Sequence, residues 1–183
     1  MRIISGLYKG RRLVAPKRLP VRPTTDMAKE ALFNILNNTY YFDEISTLDL
    51  FAGTGNISYE FASRGTKNLL CVDADMGCIK YITQIATELD LGISCVKSDV
   101  FKFLEKSTLK NDIIFADPPY DFPIEDFAKI PELVFKNELL HDGGVLIIEH
   151  SKHSDLSTLE HFTNQRRYGG SIFSFFETSS NEE

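Results

Sequence analysis

With 183 residues, 43% apolar and 25% charged, the chain can bury roughly 70% of its unfolded surface around one core and is too apolar to be disordered. No apolar run approaches the roughly 18 residues of a membrane span, and "MRIISGLYKG" is too weakly apolar for a signal peptide, so a cytoplasmic protein is expected. The net charge of −6 argues against a polyanion partner, but its distribution argues for one. Arg2, Lys9, Arg11, Arg12, Lys17, Arg18 and Arg22 fill the first 22 residues with no acid among them, leaving 13 bases against 26 acids beyond.

That basic block is interleaved with Ile3, Ile4, Leu7, Tyr8, Leu13 and Val14, a pattern that suits a small folded hairpin better than a solvated tail. "RIIS" and "RRLVA" flank its Gly-containing turn, and Pro16, Pro20 and Pro23 then keep the chain out of helix, as an appendage or linker would. In "TTDMAKEALFNILNN", Thr24 or Thr25 can cap a helix whose Ala28, Ala31, Leu32, Ile35 and Leu36 recur at helical spacing.

From about residue 46, the apolar runs "TLDLF", "NLLCVD", "ISCVK", "DIIFAD" and "GVLIIE" alternate with helical patterns starting near Ile57, Met76, Val100 and Ile124. Near-continuous apolar strands with helical crossovers imply a parallel sheet covered on both faces. "NQRRYGGSIFSFFET" then reads as an antiparallel hairpin turning at Gly169–Gly170. Cys71, Cys78 and Cys95 lack disulfide-scaffold or zinc spacing and are expected as reduced, mostly buried thiols; "EHSKH" reads as a polar loop after a strand, with no metal site.

Ligands of open α/β sheets sit beyond the carboxyl ends of the strands. The first strand ends "LDLFAGTGNIS", where Gly53 and Gly55 allow a close backbone approach, although Ser58 stands where a third glycine of G-x-G-x-x-G would fall. Asp73 closes the second strand 20 residues after Gly53, placed to accept from ribose hydroxyls, and Asp99 closes the third, placed to accept from an adenine amino group. These features outline an adenosine site without choosing among NAD, ATP and S-adenosylmethionine.

The fourth strand ends "DPPY". An exocyclic amine on a nucleobase has its lone pair delocalised into the ring and is a poor nucleophile until acceptors hold its N–H bonds out of plane. Asp117 supplies one acceptor and the Pro118 carbonyl a second, while Pro118 and Pro119 remove two N–H donors and fix the turn. Tyr120 offers a face for stacking, worth roughly 1–3 kcal/mol per base, which helps offset base extrusion. A plain strand-to-helix turn would need none of this in register with a glycine loop and two strand-end acids.

"DPPY" is similar to the signature of amino-methyltransferases acting on adenine N6, cytosine N4 or guanine N2. With "RIISGLYKGRRL", "RPTTDMAKEALFNIL" and "LDLFAGTG", the chain resembles the bacterial RsmD family, the 16S rRNA (guanine(966)-N2)-methyltransferases, from about residue 2 to residue 176. The resemblance implies a Rossmann-like S-adenosylmethionine-dependent methyltransferase fold, with a mostly parallel seven-stranded sheet, a C-terminal antiparallel hairpin and a small N-terminal β-hairpin. It implies an RNA-binding arm over residues 1–23, a methyltransferase domain over residues 24–183, and a monomer acting on 16S rRNA or the small ribosomal subunit. S-adenosylmethionine would meet Ala52, Gly53 and Gly55 at its methionine end, Asp73 at the ribose, and Asp99 with Val100 at the adenine. Phe51, Thr54 and Ala74 belong to the same expected set, and Asp117, Pro118, Pro119 and Tyr120 would hold the target base. The seven basic residues of the arm would hold RNA, and Arg22, Thr24 and Thr25 would order near cofactor or RNA. Rival readings are action on another base such as adenine N6, a nicotinamide-dependent dehydrogenase, and a non-catalytic S-adenosylmethionine-binding assembly factor.

Overall fold

The computed structural model describes residues 1–19 and 24–178. Arg22, Pro20 and Pro23 of the basic segment therefore lie outside the described residues. After helix α1 (Asp26–Leu36), strands and helices alternate: β1 (Ser46–Leu50), α2 (Asn56–Ser63), β2 (Asn68–Asp73), α3 (Met76–Glu88), β3 (Ile93–Lys97), α4 (Val100–Lys106), β4 (Asn111–Ala116), α5 (Ile124–Lys136) and β5 (Leu140–His150). The hairpin β6 (Phe162–Tyr168) and β7 (Ser171–Phe176) closes the series. Strand order is β3-β2-β1-β4-β5-β7-β6, with β1 to β5 parallel and β7 antiparallel to both neighbours. The order in which strands are added reverses between β1 and β4, so their carboxyl ends form the switch point where a crevice opens.

Strand residues alternate between two apolar layers. Ile113, Phe115, Val145 and Ile147 face the layer with Leu32, Phe33, Phe61 and Ile82, whereas Ile114, Ala116, Leu146 and Ile148 face Leu104, Phe127, Ile130 and Val134. Each large aliphatic side chain buried this way contributes about 1.5–3 kcal/mol. Among the described residues no helix is long and apolar enough to cross a membrane.

The N-terminal hairpin is docked onto the body. Arg2 and Arg12 form an antiparallel bridge, Ile3 N–H donates to the Arg11 carbonyl at 2.9 Å, and Ile3 and Leu13 are buried in the core. Its turn meets α2: Leu7 N–H donates to the Ser63 carbonyl at 2.7 Å, and Gly6, at φ +81°, passes so close that a Cβ would lie 1.9 Å from the Ser63 carbonyl oxygen. Only glycine fits there.

Beneath the hairpin lies a buried charge cluster. Glu60 accepts from Ile4 N–H at 2.8 Å and Ser5 N–H at 3.0 Å, and faces Lys29 at 3.5 Å and Arg64 at 2.9 Å. Lys29, 1% exposed, donates to the Arg2 carbonyl and to Asn56 Oδ1; burial lowers its pKa against the opposing pull of Glu60. Removing one partner of such a cluster strands the other charge without water. Lys29→Met is therefore expected to cost about 3 kcal/mol in urea unfolding, and adding Glu60→Gln should recover part of that loss.

Candidate active site at the carboxyl ends of the strands

Beyond β1 the backbone turns through three residues with positive φ: Phe51 at 56°, Gly53 at 55° and Gly55 at 82°. Gly55 is the N-cap of α2, and a Cβ there would lie 2.9 Å from the Tyr59 ring. The loop is tied to β2, since Gly53 N–H donates to Asp73 Oδ2 at 2.8 Å while Asp73 Oδ1 accepts from Asp75 N–H at 2.8 Å. Each oxygen of Asp73 keeps one lone pair for a further donor. Asp73, expected only as a ligand contact, thus also holds the glycine loop in shape.

Asp99 ends the loop after β3 and caps α4, with Oδ1 accepting from Lys102 N–H at 3.0 Å. Its second oxygen remains available for an amino group. After β4, Asp117 N–H donates to the Leu50 carbonyl at 3.3 Å, so the acceptor-rich turn is hydrogen-bonded to the strand that carries the glycine loop. Pro118 is buried, and Phe122 N–H closes the turn on the Pro119 carbonyl at 3.0 Å. Tyr120, 47% exposed, stands at the mouth.

These segments enclose a cavity of about 600 Å³, within the range of small-molecule and cofactor sites. Phe51, Ala52, Gly53, Thr54, Asp73, Ala74, Asp99, Val100, Asp117, Pro118, Pro119 and Tyr120 all line it. Gly55, expected at the methionine end, is not among the lining residues. The described basic residues of the arm, Arg2, Lys9, Arg11, Arg12, Lys17 and Arg18, are exposed outside the cavity, and Arg2 pairs with Asp26 at the start of α1.

Among the lining residues that the sequence pattern does not assign are Asp49, Asn56, Thr24, Glu149 and Ser171. Thr25 caps α1 through its hydroxyl, which frees Thr24 to donate to Glu149 Oε2; Ser171 donates to Glu149 Oε1 at 2.7 Å. Asn56 donates to the Thr24 carbonyl at 3.0 Å and accepts from Lys29, linking the cavity wall to the cluster under the hairpin. Asp49 is an acid inside an apolar strand, the one signal that could have marked it. It accepts from Ser58, and burial, reinforced by nearby Asp73, pushes its pKa up to about 7. His150, expected in a polar loop, instead ends β5 buried, with ring nitrogens on the Ser151 carbonyl and the Ser174 hydroxyl. Among the described residues no group of three or more His, Cys, Asp or Glu gathers to hold a metal ion.

The sequence pattern of a family described as conserved hypothetical protein 95 matches residues 1–177. The chain belongs to that family. Among relatives, it is 30% identical to the Haemophilus influenzae protein named ribosomal RNA small subunit methyltransferase D, across 89% of this chain and 85% of that one. It is 29% identical to the Escherichia coli K12 protein of the same name, across 87% and 79%. A solved structure of a Thermus thermophilus hypothetical protein superposes with a TM-score of 0.83 at 26% identity, covering 97% of this chain and 99% of that one.

For this member of the family, Asp49 sets a pH signature. Folding raises its carboxyl from the ordinary 3.8 to about 7, so the folded chain holds a proton between those values that the unfolded chain has lost. Stability of the ligand-free protein therefore falls as pH rises from about 4 to 7. Asp49→Asn removes this contribution and should raise the melting temperature at pH 8 more than at pH 5, read by calorimetric melting at the two values.

Proposed function

We propose that the chain transfers a methyl group from S-adenosylmethionine to the exocyclic N2 amine of a guanine in 16S rRNA. The observation that carries this reading is the hydrogen bond from Asp117 N–H to the Leu50 carbonyl, which fixes an amine-accepting turn and a glycine loop on one cavity. The names of the relatives support small-subunit rRNA as the substrate, and the RsmD resemblance supports guanine N2.

The residues present fit the cofactor. The positive-φ loop at Gly53 and Gly55 leaves backbone space, Asp73 keeps a lone pair on each oxygen for ribose hydroxyls, and Val100 with Asp99 offers an apolar wall and an acceptor for an adenine. Asp49, poised near neutrality on the cavity floor, suits the ammonium of the methionine end. S-adenosylmethionine, when bound, supplies a methyl group made electrophilic by a positively charged sulfur.

The chain's own work is orientation. Asp117 and the Pro118 carbonyl accept the two amine hydrogens, turning the nitrogen lone pair out of conjugation and toward the glycine loop. Tyr120 stacks on the extruded base at the mouth. The proton released on transfer passes to Asp117 or to water, and the turn has no cysteine to serve a thiolate route. The methyltransferase domain is assigned to residues 24–183 and the grip on RNA phosphates to residues 1–23, whose Ile3 and Leu13 seat the hairpin in that domain's core, and the protein acts as a monomer.

Labelled methyl incorporation into unmodified 16S rRNA and into particles containing it, followed by mass mapping, should yield N2-methylguanine at one site. Methyladenine would overturn the base assignment, and no incorporation into either substrate would favour a non-catalytic binding factor. Asp117→Ala should lower turnover about 100-fold or more with S-adenosylmethionine affinity nearly unchanged by calorimetry. Replacing Arg11, Arg12, Lys17 and Arg18 by Ser should flatten the log–log salt dependence of RNA binding by about 3. Unchanged salt dependence would remove the arm from the RNA contacts.

A further inference from the structure

The arm is not the only exposed basic element of the chain. Because β7 runs antiparallel between β5 and β6, β6 points the same way as β1, β4 and β5 and ends at the same edge of the sheet. Near its end it carries Arg166 and Arg167, both exposed, followed by Tyr168 and the turn at Gly169 and Gly170. Gly170 of the turn and Ser171, the first residue of β7, line the cavity itself.

Neither arginine forms an ion pair among the described residues. Arg167 Nε donates to the Gly169 carbonyl at 3.2 Å, laying the guanidinium along the turn, and Arg166 Nη1 donates to the Gln165 carbonyl at 3.1 Å. Each bond uses one of five guanidinium N–H groups, which leaves a fork of donors for an anion. Beyond residue 22 the chain has twice as many acids as bases, so two adjacent arginines without an ion pair stand out from the composition of the rest of the chain. The turn is also continuous with the arm. Arg2 bridges to Asp26 in the first turn of α1, and the neighbouring Met27 packs by the β6–β7 turn, its Cε 3.4 Å from where a Cβ on Gly169 would be.

We propose that Arg166 and Arg167 form a second phosphate grip on the border of the active site, holding the RNA strand beside the target base together with the arm. Successive strand side chains project to opposite faces, so each arginine takes its own phosphate. This rests on the RNA reading above and adds to it the element that orients the strand at the cavity.

The test is filter binding of unmodified 16S rRNA between 50 and 300 mM KCl, with S-adenosylmethionine calorimetry as the check on folding. Arg166→Gln/Arg167→Gln is expected to weaken RNA binding several-fold and to flatten the salt slope by about 1.4, two contacts at about 0.7 each, with cofactor affinity unchanged. Arg166→Lys/Arg167→Lys should keep the slope, because the charge is kept. A glutamine pair with the wild-type slope and affinity overturns this inference alone, as does a lysine pair that loses as much as the glutamine pair. Wild-type protein without salt-dependent RNA binding overturns the RNA reading and this inference with it.

Discussion

The carboxylate of Glu60, wholly withdrawn from water, is the constraint on which the relation between hairpin and cavity depends. A buried carboxylate is tolerated only when its lone pairs are filled and its charge is met. Here two hairpin amides, Lys29 and Arg64 do this together, so hairpin, α1 and α2 stand or fall as one unit. From Lys29 the bonding continues through Asn56 to the Thr24 carbonyl, and from the Thr24 hydroxyl to Glu149 and Ser171. The exposed cations of the N-terminal segment are thereby carried on a platform fixed to the wall of the cavity, and on the function proposed above RNA held by them is held in register with it.

Much of the architecture was legible because its determinants are local. Short, largely apolar strands, helices spaced at 3.6, and a Gly-Gly turn between "NQRRY" and "SIFSFF" each carry their own signal, and the described strands coincide with those runs to within one residue for β1 to β4. At β5 the structure extends the strand at both ends, back to Leu140 and on to His150, whose imidazole finds a hydroxyl on Ser174 across the β5–β7 pair, a partner 24 residues away that periodicity cannot reveal. Lys29 in "MAKEAL" reads as a solvated helix lysine for the same reason: its acid, Glu60, lies on a different helix and is chosen by tertiary packing. The first hairpin reads as an appendage because its basic residues dominate the composition, yet Ile3 and Leu13 belong to the core.

The cavity was legible to the extent that backbone chemistry specifies it. Glycines at positive φ and prolines without N–H groups announce themselves by residue type, whereas Glu149 and Ser171 enter only through strand pairing. Ser58 is instructive. In the place of a third glycine it is fully buried, with its hydroxyl on Asp49 and beside Cys71, so the departure from the dinucleotide pattern has its own packing reason.

The rigidity of the "DPPY" turn bears also on the fate of the methylated base. On the reading proposed above, an unmodified amine brings two hydrogens to two acceptors, Asp117 and the carbonyl of the buried Pro118. Once methylated it brings one hydrogen and an extra apolar group. A turn fixed by two proline rings and by its bond to Leu50 cannot close on that smaller set of donors, so one acceptor is left unmatched against the product. The feature that prepares the amine thus also disfavours keeping it, which hastens release of the base and limits modification to a single methyl group.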